Sequence, residues 1–323
     1  MKVLVAGGAG YIGSVAVEEL LKAGHSVVVF DNLSKGHEKA VHPEASFFRG
    51  DLGDSERLEE ALEGCEAVLH FAADSLVGES MRDPGKYFKN NLGNTLSLLE
   101  AMRKKGIGKI VFSSTAAVYG EPENLPIREI DRQVPTNPYG ESKKMIEGIL
   151  GWYEKIFGFR FAVLRYFNAA GASERCGEDH APESHLIPLV LQVALGKRDF
   201  IEVFGEDYPT ADGTCVRDYI HVIDLAQAHV QALEALDEKS FTFNLGNGLG
   251  FSVKQVIEAA RSITGHPIPV KMASRREGDP AVLVASSEAI KKTLGWDPKH
   301  PGIESIVESA WLWHLAHREG YGE

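Results

Sequence analysis

Tyr139 and Lys143 stand four residues apart in Pro138-Tyr139-Gly140-Glu141-Ser142-Lys143. On a helix this spacing puts both side chains on one face, and Pro138 suits the first helical position. An ammonium beside a phenol favours the phenolate, so a tyrosine that titrates at about 10 in water becomes a usable base near neutrality. The same pair on an exposed helix is a surface tyrosine above a solvated lysine, and its surroundings decide between the two. Two dozen residues upstream, Ile110-Val111-Phe112-Ser113 runs into Ser114-Thr115-Ala116-Ala117-Val118-Tyr119-Gly120. Such a polar cluster after an apolar strand falls at the carboxyl edge of a sheet, where open α/β sheets bind ligands. Thr115 is placed there beside a hydroxyl that becomes a ketone; its alternative role is to cap a strand end or turn.

A second group of residues indicates what accompanies that chemistry. Gly7-Gly8-Ala9-Gly10-Tyr11-Ile12-Gly13 joins a short apolar run to an amphipathic stretch. Glycines at Gly7, Gly10 and Gly13 allow a tight turn, close approach of backbone to a pyrophosphate, and a helix N-terminus whose free N–H groups favour anions. A plain glycine-rich turn is the competing reading. Asp31 ends the second apolar run, placed to accept hydrogen bonds from an adenosine ribose and to repel a 2′-phosphate, which favours NAD over NADP. A turn or cap before Asn32 is its other role. The positive nicotinamide ring of NAD adds to the lysine in favouring a phenolate at Tyr139.

These residues need a frame. Short β-branched runs at 3–6, 26–30, 45–49, 67–70, 109–113 and 161–165 alternate with amphipathic stretches at 11–23, 55–62, 84–105 and 138–157. That pattern predicts an α/β Rossmann-type fold, a doubly wound parallel sheet with helices on both faces. After about Arg175 the pattern loosens, with helices expected at 187–195, 222–236, 253–264 and 303–318. We expect residues 1–174 to form an NAD-binding domain to which residues 220–247 return, Phe241–Asn244 looking like another sheet strand, and 175–323 to form mainly a smaller α/β substrate-binding lobe.

Composition narrows the class. The 323 residues are 44% hydrophobic and 25% charged with a net charge of -12, ordinary for a globular chain, and scattered bases offer nothing to a nucleic-acid backbone. Cys65, Cys176 and Cys215 are far apart without a CxxC spacing, which suggests neither a disulfide framework nor a zinc site and favours a reducing cytoplasm. No apolar run reaches the length of a membrane span. His180, His185 and His221 have separations that fit no metal-ligand pattern, so they read as loop or core histidines and no metal is expected.

The G-x-x-G-x-x-G spacing resembles the short-chain dehydrogenase/reductase superfamily. With DNLS, HFAADSLVGES, FSSTAAVYGE, NPYGESK, LRYFNAAGA, DGTCVRDYIHV and RREGDPA, the chain is similar to the UDP-glucose 4-epimerase family of extended short-chain dehydrogenases/reductases from Lys2 to about Trp313. The resemblance implies an NAD-dependent isomerase acting on a UDP-hexose. Tyr139 would take the proton of the sugar 4-hydroxyl as the C4 hydride passes to NAD, the 4-keto sugar would turn over, and both would return to the other face. It further implies that Lys143 holds the nicotinamide ribose and that Ser113 and Tyr166 support nicotinamide or sugar. Tyr11, Ile12, Phe71, Ala72, Ala73 and Asn90 complete the implied cofactor contacts, with Asp51 and Leu52 at the adenine, although an Asp in a loop is commonly an N-cap. On the substrate side it implies Asn168, His185, Leu186, Phe204, Tyr219 and Asp279, with Arg217 and Arg276 clamping the diphosphate bidentately. Phe204 reads equally as core and each arginine as a surface ion pair. Asn90 and Asn91 are poor choices for a helix interior, which hints at function.

Three departures qualify the resemblance. Asp74-Ser75 follow where some relatives carry a lysine, so no lysine contact to cofactor phosphates is carried over. Thr115 stands where some relatives have serine, which leaves the hydroxyl chemistry intact. Leu283 stands where some relatives have tyrosine and others a smaller residue lining the hexose 2-position, which implies partial tolerance of N-acetylated sugars. Another UDP-sugar 4-epimerase is an alternative. A dehydratase would need a carboxylate pair where Ala116 and Ala117 stand, and a decarboxylase a glutamate at Ala117. A non-catalytic dinucleotide-binding protein would be expected to have lost Tyr139 or Lys143. The stretches at 84–105 and 138–157 resemble the helix pair of a homodimer interface.

Overall fold

The computed structural model describes residues 1–276 and 279–322; Glu277 and Gly278 of the RREGDPA motif lie outside the described residues. The chain begins as strand and helix in alternation: β1 (Lys2–Ala6), α1 (Tyr11–Lys22), β2 (Ser26–Asp31), β3 (Ser46–Arg49), α2 (Ser55–Ala61), β4 (Ala67–His70), α3 (Val77–Ser80), α4 (Pro84–Tyr87), α5 (Asn94–Lys104), β5 (Lys109–Thr115), α6 (Pro138–Phe157) and β6 (Arg160–Tyr166). It continues through β7 (Asn168–Ala170), α7 (Leu186–Ala194), β8 (Ile201–Phe204), β9 (Val216–Arg217), β10 (Tyr219–His221), α8 (Val222–Glu234), β11 (Phe241–Leu245), β12 (Phe251–Ser252), α9 (Val253–Thr264), β13 (Val270–Ala273), β14 (Val282–Leu283), α10 (Glu288–Leu294) and α11 (Ile303–Ala316).

Seven strands form one sheet in the order β11-β6-β5-β4-β1-β2-β3, every neighbouring pair parallel. Alternation along β1 shows why both faces are covered: Val3 and Val5 enter one apolar core with residues of α1 and α8, Leu4 and Ala6 the other with residues of α2, α5 and α6. The doubly wound sheet expected from sequence is present. Its strand order reverses between β1 and β4, which opens a crevice beyond their carboxyl ends.

After β6 the chain leaves this sheet. The remaining strands form a β7–β10 pair, a β12-β9-β14 trio and a β8–β13 pair, with α7, α9 and α11 around a third apolar core. The expected strand near Phe241–Asn244 is β11, paired with β6 at the edge of the large sheet. The buried Asp218 carboxylate braces this region, accepting from the backbone N–H groups of Asn247, Gly248 and Ala285 at 2.7, 3.0 and 3.0 Å.

One expected element differs in form. The single helix read over 84–105 is α4, a π-helical turn Phe88–Gly93 and α5 in succession. The wide turn carries Asn90 and Asn91, whose amides bond outside the helix, so a side-chain network overrides the regular i to i+4 ladder. Helix α10 was not anticipated.

Candidate active site

The carboxyl ends of β1, β2, β4 and the start of the π-helical turn enclose a groove lined by Gly7, Gly10, Asp31, Asn32, Asp51, Leu52, Phe71, Ala72, Ala73 and Asn90. Gly7 has a φ of +81°, and a Cβ there would come within 2.6 Å of the Ala72 backbone nitrogen. A Cβ on Gly13 would land on the Gly7 carbonyl oxygen. Both positions therefore require glycine, and the loop presents bare backbone to the groove. Asp31 is buried and accepts from the N–H groups of Ala9 and Leu33 at 3.0 and 2.8 Å, which fixes its carboxylate at the groove wall. Burial raises its pKa and these two bonds oppose the rise. The Asp51 carboxylate accepts from the Asn32 amide at 2.8 Å and the Asn94 amide at 3.2 Å, closing the far end.

Among the residues expected at the cofactor, Tyr11 and Ile12 sit on the protein side of the loop. The Tyr11 hydroxyl donates to the Gly171 carbonyl at 2.6 Å, which ties α1 to the segment after β7, and Ile12 packs on the core.

Helix α6 begins beside the end of β5. Asn137 caps α6 by accepting from the Gly140 N–H at 2.9 Å, Pro138 opens the helix, and Tyr139 occupies its first turn. Gly140 lets that turn press on the β5 end, since a Cβ there would be 2.5 Å from the Ala117 carbonyl oxygen. This close packing brings Tyr139 against Thr115. Burial raises the Tyr139 phenol above its ordinary value, and a hydrogen bond with the Thr115 hydroxyl opposes that rise. Burial brings Lys143 down to about 7, with Glu147 opposing. The Lys143 ammonium donates to the Ser113 carbonyl at 2.8 Å and lies 4.8 Å from the Phe112 ring centre. In this arrangement burial, rather than the lysine, dominates the phenol. The Ser113 and Tyr166 hydroxyls are hydrogen-bonded to each other beside the pair.

Two sets of positioning contacts are supplied by the fold, the first by Asn91, which the sequence singled out, and the second by an ion pair it did not mark. Asn91 is buried and joins three parts of the site, accepting from the Asp74 N–H at 2.8 Å and donating to the Asp74 carbonyl at 2.9 Å and the Ser142 hydroxyl at 3.2 Å. Beneath β5 the buried Glu147–Arg165 ion pair, 2.6 Å apart, links the Ser114 hydroxyl to Tyr119, which donates to Asn244. Nothing in local spacing marks these contacts, since they join residues from 17 to 125 positions apart.

Across the crevice the expected substrate residues fall on several segments. Asn168 donates its amide to the Asp218 carbonyl at 3.0 Å. Leu186 begins α7. Arg217 forms an ion pair with Asp279, and the Arg276 guanidinium lies 4.0 Å above the Phe204 ring centre. Phe204 is therefore half-buried against an arginine rather than core. Tyr219 is buried in the third core, where its ring meets apolar side chains.

The histidines lie in core and loop as expected, but two of them have partners that their spacing did not indicate. His221 is buried, bonded to the Ser309 hydroxyl at 2.9 Å and packed on His300. His180 and His185 instead converge with Glu178 and Glu183, and potential ligand atoms of the four lie within 4.8 Å of one another. The carboxylates raise His180 to about 9 and His185 well above its ordinary value. The available signal was four such residues within eight positions, Glu178 to His185, in a segment assigned no helix or strand.

The sequence matches the NAD dependent epimerase/dehydratase family over residues 3–246. It is 55% identical to the UDP-glucose 4-epimerase of Halalkalibacterium halodurans, over 99% of this chain and 98% of that one. A crystal structure of a UDP-glucose 4-epimerase superposes with a TM-score of 0.98 at 52% identity, covering 100% of both chains. A UDP-glucose 4-epimerase from Brucella ovis in complex with NAD superposes with a TM-score of 0.94 at 45% identity, over 96% of this chain and 97% of that one.

Proposed function

The chain belongs to the NAD dependent epimerase/dehydratase family, and on that footing we propose that it interconverts UDP-glucose and UDP-galactose, inverting C4 of the hexose through a transient 4-keto sugar. The observation that carries this reading is Tyr139 held against Thr115 at the carboxyl edge of the sheet whose neighbouring strand ends form a glycine-walled groove. The groove fits NAD: it has backbone room that a Cβ would fill at Gly7, and a fixed carboxylate at Asp31 suited to ribose hydroxyls. NAD when bound supplies a reversible acceptor for the C4 hydride.

This chain's own residues move the proton. Tyr139 as phenolate takes it from the sugar 4-hydroxyl and returns it on the other face, while the Thr115 hydroxyl keeps the sugar oxygen in line. Lys143 steadies the negative phenolate and offers its remaining N–H groups to a ribose. Arg217 and Arg276 grip the diphosphate, Arg217 exchanging its bond to Asp279 for phosphate oxygens as Asp279 turns to the uridine ribose. Asn168, His185, Leu186 and Phe204 complete the nucleotide side, and Tyr219, buried in the third core, backs it from within. A grip on UDP that leaves the hexose loose is what lets either face of C4 be presented.

We assign cofactor binding to residues 1–174 with 220–247, and nucleotide-sugar binding mainly to 175–323. Leu283 packs against the apolar cluster of Val118, Tyr119 and Ile127, and a leucine there is small enough to accept, in part, an N-acetyl group on the hexose. No helix among the described residues is long and apolar enough to cross a membrane. Three free cysteines fit a cytoplasmic enzyme. Met145, Trp152 and Ile156 are exposed along α6 with Leu96 on α5, an apolar stripe that supports a homodimer.

The deciding assay supplies UDP-galactose to purified protein without added cofactor and measures UDP-glucose. Conversion should proceed, and Tyr139→Phe should reduce it by about 1,000-fold while bound NAD is retained. Full-speed turnover by that variant would overturn the reading.

A further inference from the structure

We propose that Glu178, His180, Glu183 and His185 bind one divalent transition-metal ion of the zinc class, fastening the segment between β7 and α7 beside the glycine-rich loop. The two imidazoles present the same atom inward. His185 Nδ1 lies 2.5 Å from Glu178 Oε1 and 3.3 Å from Glu183 Oε1, and His180 Nδ1 lies 3.2 Å from Glu178 Oε1 and 3.6 Å from Glu183 Oε2. A tetrahedral ion with bonds of about 2.0–2.1 Å has edges of about 3.3 Å; the four ligand atoms lie within 4.8 Å of one another, so small side-chain rotations carry them from their present ion pairs to such a shell.

Charge and donor type agree with that geometry. The Glu178 and Glu183 side chains are only 5% and 6% exposed, and among the described residues the cationic partners of both carboxylates are these imidazoles, with no Lys or Arg bridged to either. One divalent cation with two neutral imidazoles balances two buried carboxylates as fully as two imidazolium ions do. Two nitrogen and two oxygen donors suit zinc and its neighbours, whereas calcium and magnesium take oxygen ligands.

The site's place in the fold gives it a use. His180 meets the Tyr11 ring edge-on at 6.2 Å, and the Asp179 carbonyl oxygen lies 2.9 Å from the His37 ring nitrogen. The segment therefore spans from the glycine-loop helix to His185, which directly precedes Leu186 and α7. An ion at its centre crosslinks eight residues that carry no regular hydrogen-bonded structure. Its role is to position the wall of the nucleotide-sugar site, and it stands apart from the proton transfer at Tyr139.

The test uses the full chain with its NAD, stripped of metal by a chelator and titrated with Co²⁺. We expect the intense visible bands of four-coordinate cobalt to saturate at one ion per chain and to be displaced by one equivalent of Zn²⁺. His180→Gln and Glu183→Gln should each weaken binding by more than about 100-fold, because losing a ligand costs more than losing the group behind one. Should a variant fail to fold, the wild-type titration decides alone. Absence of a saturable band in the wild type, or unchanged affinity in both variants, overturns the site. The spectrum does not depend on turnover, so its failure leaves the epimerase reading standing, and failure of the UDP-galactose assay leaves the metal site standing.

Discussion

Burial acts against both members of the Tyr139–Lys143 pair, raising the phenol and bringing the ammonium down to about 7. A cationic nicotinamide ring favours the phenolate and disfavours the ammonium, so a filled groove pushes the pair toward an ionised Tyr139, with Lys143 kept charged by the phenolate beside it and by Glu147. The sugar side of the same site is set by single contacts. Leu283 lies in register with Arg217 across β14 and β9 and packs on the apolar cluster of Val118, Tyr119 and Ile127. Wild type should turn over UDP-GlcNAc measurably, and Leu283→Tyr should cut that rate by about tenfold or more while sparing UDP-galactose. Equal UDP-GlcNAc turnover by the two proteins would remove Leu283 from the hexose pocket.

Elements deliver those contacts through close approach. The turn from β1 into α1 works because Gly7 and Gly13 let backbone meet backbone, and the first turn of α6 reaches β5 because Gly140 has no side chain. Gly13→Ala should force the loop off the Gly7 carbonyl and reduce NAD per chain, measured after extraction, by about tenfold with helix content unchanged by circular dichroism. NAD content equal to wild type would mean the loop is not the phosphate cradle. The π-helical turn acts similarly: it breaks the 84–105 helix where Asn91 must reach Asp74 and Ser142, so the loop after β4 and helix α6 are held in one arrangement.

Across the whole molecule, buried polar groups tie stability to pH. His229 is fully buried in α8, bonded to the Leu225 carbonyl at 2.8 Å and packed on Phe71 and Tyr166, and burial lowers it from 6.5 to about 4. Between those values the unfolded chain holds a proton that folded His229 does not. Its contribution is intact above pH 6.5 and is lost on acidification, by up to about 1.4 kcal/mol per pH unit. Urea titrations across that range should show a shallower acid loss for His229→Gln than for wild type; identical slopes would show that His229 is charged in the fold. At the same scale, sedimentation at micromolar concentration should find a dimer through the exposed α5 and α6 stripe, and a monomer would refute that assembly.

Much of this was readable in the chain. The β-branched runs and amphipathic spacings announce a doubly wound sheet because burial on both faces demands apolar strands, and G-x-x-G-x-x-G, Asp31 and YxxxK announce a dinucleotide groove and a base because those functions need local spacings. What the residues alone could not settle depends on pairs far apart in the chain: Glu147 with Arg165, Tyr119 with Asn244, Arg217 with Asp279, and Asn91 with the loop after β4. The protonation of Tyr139 and Lys143 belongs there too, because desolvation is a property of the packed interior. Even four nearby residues, Glu178 to His185, show their convergence only once an irregular segment has been folded, since no helical or strand period sets where their side chains point.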